Sequence, residues 1–141
     1  LEDPTITSEE FDENKKSPQE KYVIHFLPGQ SNERDKGGTL RLGMYECKLK
    51  KDTKTYDLYK KPLIEERHRH RYEFNNDYKK LLEEKGLTFP GINPKTNLVE
   101  IAENTSHPFM IGSQFHPEFL SRPHRPHPLF AGFIKAAIKN K

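Results

Sequence analysis

The sequence predicts an α/β domain of many short strands and two helices. Three observations predict it. Period-two alternation runs through residues 39–50 and again through 66–74, short apolar runs end at turn residues, and paired apolar residues recur four apart over 129–138. Residues 1–20 hold almost no apolar periodicity and carry Asp3, Glu9, Glu10, Asp12 and Glu13. They read as a polar lead-in that is ordered by docking on another surface. Tyr22 to Leu27 form an apolar run stopped by Pro28-Gly29, the signal of a buried strand. Residues 29–38 form a polar loop punctuated by glycine, and 39–50 a half-buried strand. In that strand Tyr45, Cys47 and Leu49 share one side, and Met44, Glu46 and Lys48 the other.

From Glu66 to Phe74, an extended chain puts Arg67, Arg69 and Arg71 on one face and His68, His70 and Tyr72 on the opposite one. Asn75 or Asn76 then caps a helix through Leu81-Leu82 that ends at Gly86. Short strands follow at 87–89, 98–102 and 109–115. After the proline-punctuated stretch 122–128, a terminal helix over 128–139 carries Leu129, Phe130, Phe133, Ile134, Ala137 and Ile138 as one apolar stripe.

Composition bounds the function. The 141 residues fit one domain. Hydrophobic residues make up 32%, and adding the 8 glycines still leaves the fraction short of the roughly 45–50% of soluble domains. Mean hydropathy is −0.98, so the core is thin. Nine Phe and six Tyr argue against a wholly disordered chain. No apolar run approaches the ~20 residues that span a bilayer and no signal peptide is evident, so a cytoplasmic protein without membrane contact is expected. The net charge is +3, with acids interspersed among the bases and no aromatic stacking platform, which argues against nucleic-acid binding.

One cysteine excludes an internal disulfide and a cysteine-based zinc knuckle. Cys47 lies mid-strand with apolar neighbours on its side, so it reads as a buried, inert thiol. His68 with His70, and His124 with His127, invite a metal reading, but arginines flank the first pair and the spacing supplies no third ligand, so no metal site is expected. The sharpest local feature is Gln114-Phe115-His116-Pro117-Glu118-Phe119. His116 and Glu118 project to one side of an extended chain, where a carboxylate can fix the imidazole tautomer and leave the second nitrogen to take a proton from a nucleophile. Spacing alone does not separate this from an ordinary surface pair after a strand. The glycine pair in 36–43 fits neither a Walker nor a Rossmann spacing, and is either a hinged lid or a flexible loop entering a strand.

Taken together, Ser8-Glu9-Glu10-Phe11, Gly37-Gly38-Thr39-Leu40-Arg41-Leu42-Gly43, Glu66 through Glu73, His107-Pro108-Phe109, Gln114 through Phe119, and the tail from Ser121 to Phe130 resemble the glutaminase domain of the CTP synthase family. The resemblance covers nearly the whole chain. It implies a class I glutamine amidotransferase-like α/β sandwich, with a mixed, mainly parallel central sheet flanked by helices, of which residues 1–141 are the C-terminal part. It also implies that His116 activates a cysteine, that Glu118 orients His116, and that Glu10 and Arg71 bind glutamine. The thiolate attacks the carboxamide, and water hydrolyses the resulting thioester. Residues 29–43, with Gly37, Gly38, Thr39 and Arg41, fall on the family's lid, which is linked to allosteric activation by GTP. The released ammonia passes to a synthase domain that uses ATP and magnesium to convert UTP to CTP. The family's nucleophilic cysteine sits in a Gly-x-Cys-Leu-Gly turn that the resemblance places upstream of Leu1. This chain is therefore expected to hold no cofactor and to be inactive alone. Its expected partners are glutamine, the N-terminal part of the glutaminase domain and the synthase domain, in a homotetrameric parent. A different class of function, an amidotransferase-like chain that binds a partner or regulatory ligand without catalysis, is the competing reading. Retention of both His116 and Glu118 argues against it.

Overall fold

A computed structural model describes residues 3–12, 14, 16–26 and 41–140. Two sheets form. The smaller holds β1 (Thr7–Ser8), β2 (Tyr22–Phe26) and β5 (Tyr72–Phe74) in the order β1-β2-β5. The larger holds β3 (Arg41–Leu49), β4 (Leu63–His70), β6 (Leu87–Ile92), β7 (Val99–Asn104) and β8 (Ile111–Ser113) in the order β4-β3-β6-β7-β8. Helices α1 (Lys54–Tyr59), α2 (Lys79–Glu84) and α3 (Pro128–Lys139) flank them.

The mixed α/β class is as expected, but the dominance of parallel pairing does not reach these strands. Only β1 and β2 run parallel, and every pair in the larger sheet is antiparallel. For β6–β7 and β7–β8 the connections are too short for a parallel crossover, which needs a dozen or more residues. Between β6 and β7 the Asn93 carboxamide oxygen accepts from the Lys95 and Thr96 amides, turning the chain in six residues. The lead-in docks on the chain itself: β1 lies beside β2, and Asp12 accepts from the Ser17 amide at 2.7 Å and the Tyr22 hydroxyl at 3.0 Å.

Alternation in β4 is the clearest agreement of sequence and structure. Ile64, Glu66 and His68 are buried, while Glu65, Arg67 and Arg69 are exposed. One apolar cluster gathers Cys47, Leu49, Ile64, Ile101, Phe115 and Leu129, with Tyr56, Leu58 and Tyr59 of α1 packed against it. The second joins Phe74, Tyr78, Phe89 and Val99 with β2 and α2. Gly91 lets the strands around the first cluster close up, because a Cβ there would stand 2.6 Å from Ile101 and 2.9 Å from the Cys47 sulfur.

The terminal helix departs from expectation. Leu129 and Gly132 are its buried residues, whereas Phe130, Phe133, Ile134 and Ile138 of the expected stripe are exposed. The helix docks through its small residue: a Cβ on Gly132 would meet Leu58 of α1 at 2.6 Å, so the close approach selects the Leu129–Gly132 face and turns the larger side chains outward. No helix among the described residues is long and apolar enough to cross a membrane.

Candidate active site

His116 follows β8 and precedes a single helical turn, Pro117–Phe119. Pro117 suits the first position of that turn, where no amide hydrogen is needed. The His116 amide donates to the Arg67 carbonyl at 2.9 Å, which moors the turn to β4. The Arg67 and Arg69 guanidinium groups lie over the Phe119 ring, 5.7 and 5.8 Å from its centroid. His116 Nδ1 sits 3.0 Å from Glu118 Oε1, so the two residues meet, but through the helical turn and not along an extended chain as expected. With Nδ1 engaged, Nε2 is the nitrogen left to exchange a proton.

A cleft of about 1130 Å³ opens beside this pair, and its lining includes His116, Glu10 and Arg71 together with Arg67, Arg69 and His70. Glu10 comes from the turn after β1. There the Ser8 hydroxyl oxygen accepts from the Glu10 amide at 3.3 Å, while neighbouring Glu9 points inward and accepts from the Phe26 amide at 2.8 Å. Arg71 is the one residue between β4 and β5, at the point where the chain passes from the larger sheet to the smaller. Three residues distant in sequence are thus gathered at one opening, with Glu118 in contact with His116.

Gly37, Gly38 and Thr39 lie outside the described residues. Arg41 is not a loop residue: it opens β3 and is buried, with one guanidinium nitrogen 3.2 Å from Glu73 and another bonded to Glu100. Both arms are taken by carboxylates, so within the described residues it is an internal anchor and not a group presented to a ligand.

Cys47 is fully buried, and burial pushes its thiol well above the usual range, with Glu100 and Glu66 adding to the shift. It is not available as a nucleophile. The histidines do not gather around a metal: among the described residues no cluster of three or more histidine, cysteine or acidic groups is set to hold one. His68 is buried against Tyr45 and Phe115, and burial first, then the Arg41 charge, lower its pKa to about 3. His127 caps α3, its Nδ1 accepting from the Leu129 amide at 3.3 Å while Nε2 donates to Glu66 at 2.9 Å.

Sequence reasoning missed the acidic layer beneath the cleft. Glu73 and Glu100 are buried around Arg41, and Gln114 links Glu73 to the Phe74 amide and the Val99 carbonyl. Burial pushes the Glu100 carboxyl upward, and the bonded Arg41 opposes that shift. The alternation gave no signal for it, since Glu73 shares its parity with Arg67, Arg69 and Arg71, which are exposed.

Comparison with known proteins bears on the family and the fold. Residues 16–136 match the family Glutamine amidotransferase class-I. Among curated relatives, CTP synthase of Clostridium acetobutylicum is 59% identical over 125 residues, which cover 88% of this chain and 23% of the relative. CTP synthase of Caldanaerobacter subterraneus is 52% identical over 134 residues, covering 95% of this chain and 24% of the relative. The chain therefore spans about a quarter of the length of these relatives. A solved Trypanosoma brucei CTPS glutaminase domain with bound acivicin superposes with a TM-score of 0.81 at 33% identity, covering 94% of this chain and 50% of that one. A family match over most of the residues, carried by sequence and by fold alike, leads to one assignment: the chain belongs to the class-I glutamine amidotransferase family.

Proposed function

We propose that the chain forms part of the glutaminase site of a CTP synthase and takes part in releasing ammonia from glutamine for the amination of UTP. The observation that carries the proposal is the His116–Glu118 contact of 3.0 Å at the rim of a cleft that Glu10 and Arg71 also line. In this reading His116 Nε2 takes the proton of an attacking cysteine thiol and later delivers it to the leaving ammonia. Glu118 holds the imidazole in the tautomer that keeps Nε2 free and stabilises the imidazolium when it forms. Glu10 supplies a carboxylate for the α-ammonium of glutamine. Arg71 supplies a cation, or its backbone, within the same cleft.

Cys47 is the one cysteine in the 141 residues and lies in the core, so the nucleophile of this reading comes from outside them. The remainder of the glutaminase domain and the synthase domain, with its ATP, magnesium and UTP, are the partners it requires. GTP is the proposed activator. Assembly as a homotetramer and a cytoplasmic location belong to the same reading.

In a full-length CTP synthase carrying these 141 residues, His116→Ala should abolish glutamine-dependent CTP formation and leave the reaction with supplied ammonia intact. Parallel loss of both activities would make His116 a structural residue and sink the role given to it.

A further inference from the structure

The chemistry proposed for His116 leaves a neighbouring buried cluster unused. The His70 ring faces His116, with 6.1 Å between centroids and 26° between planes. His70 Nε2 lies 3.0 Å from Glu73 Oε1, and the Glu73 carboxylate is held in turn by Arg41 at 3.2 Å and by the Gln114 amide nitrogen at 2.9 Å. An ionised carboxylate only accepts, so the proton of this contact resides on His70 Nε2. Glu73 therefore fixes both the ring plane and the proton position of His70. The His116–Glu118 pair is partly exposed to solvent, at 31% and 56% for the two side chains, and an exposed pair holds its own geometry weakly. Of the rings beside His116, His70 is the one clamped from the interior. Phe119, at 5.6 Å, travels on the same turn as His116 itself.

We infer that Glu73 is a positioning residue for the glutaminase site, clamping His70 against the face of His116 so that the catalytic imidazole keeps the orientation in which Glu118 engages it. This rests on His116 being the proton carrier of the proposed function. The charges around His116 fix the sign of an electrostatic test. Glu118 faces it from its own turn, and Arg67 and Arg69 face it from β4. Glu10, Arg71 and Arg122 line the shared cleft, while Glu73 and Glu100 lie behind His70 and His68, paired with Arg41. Removing the Glu73 charge leaves Arg41 matched by Glu100 alone, makes the potential at His116 more positive and favours proton loss.

In a full-length CTP synthase carrying these 141 residues, Glu73→Gln should lower glutamine-dependent kcat ten- to roughly a hundredfold with a much smaller change in KM for glutamine, as misplacement of a reacting group does. The acid limb of its kcat/KM profile should move to lower pH by roughly half a unit, and the ammonia-dependent rate should stay unchanged. His70→Ala should reproduce the loss in kcat, and His70→Phe, which keeps a flat ring in place, should recover most of it. This pair decides the matter if Glu73→Gln does not fold. An unmoved kcat and acid limb in Glu73→Gln, or equal kcat in His70→Ala and wild type, overturns the inference. His116→Ala run alongside separates the two levels: if it alone abolishes glutamine use, only the positioning role has failed, and if it does not, the parent reading has failed.

Discussion

Cys47 and His68 share a fate set by burial. Removing water from around an ionisable group disfavours its charged form, so the thiol stays protonated and the imidazole stays neutral at physiological pH. On the glutaminase reading proposed above, Cys47→Ser should therefore leave glutamine hydrolysis by the full-length protein nearly intact while lowering stability by about 1–3 kcal/mol, the cost of placing a hydroxyl in an apolar site. Paired activity and denaturation measurements separate those effects. For His68, the folded pKa of about 3 lies below the ordinary imidazole value of 6.5, so the unfolded chain binds the extra proton first. The neutral ring's contribution is complete above pH 6.5 and is lost progressively as pH falls toward the folded value. His68→Phe should flatten the dependence of unfolding midpoint on pH between 6.5 and about 5, and a slope equal to wild type would show that other groups govern it. Gly91→Ala belongs to the same scale. Its methyl group would overlap Ile101 and the Cys47 sulfur, and overpacking of that kind costs about 1–3 kcal/mol.

At the scale of elements, α1 shows what periodicity could not supply. Residues 50–62 are mostly lysine, threonine and aspartate, and the three apolar positions Tyr56, Leu58 and Tyr59 are too few to make a stripe. The helix forms because its ends are satisfied from outside. The Thr53 hydroxyl oxygen accepts from the Tyr56 amide at 3.1 Å, and buried Glu103 of β7 accepts from the Lys54 and Thr55 amides at 3.1 and 3.0 Å. Thr53→Ala should lower stability by about 1 kcal/mol, read as a shift in denaturation midpoint. The burial of Glu103 was illegible for the same reason as that of Glu73 and Glu100: a charged residue in an alternating strand reads as solvent-facing until its partner across the fold is known. The alternation of 66–74 was legible residue by residue, yet it concealed a change of sheet. Arg67, Arg69 and Arg71 are exposed but Glu73, at the same parity, is buried, because the hydrogen-bonding partner switches from β3 to β2 there. His116 and Glu118 were legible because their pairing is local. That Glu10 and Arg71 share an opening with them followed from the family resemblance, since no spacing rule joins residues sixty apart.

For the whole molecule, the two sheets and their clusters divide the work. The larger sheet, backed by α1 and α3, leads into His116 and carries the buried carboxylates Glu66, Glu100 and Glu103, while Glu73 sits on the smaller one. The smaller, set over the second cluster, brings Glu10 to the cleft, and Arg71 joins the two at their seam. That seam is one residue long. A chain link spans at most about 3.6 Å per residue, so the strand ends it joins cannot drift apart by a loop's slack. The separation of the β4 and β5 ends is consequently metered by backbone length, which limits how far the two sheets can part beside the cleft that Arg71 lines. On the glutaminase reading proposed above, insertion of a glycine beside Arg71 should weaken discrimination between glutamine and its one-methylene-shorter homologue asparagine before it unfolds either sheet, which competition assays on a full-length protein carrying these residues would register.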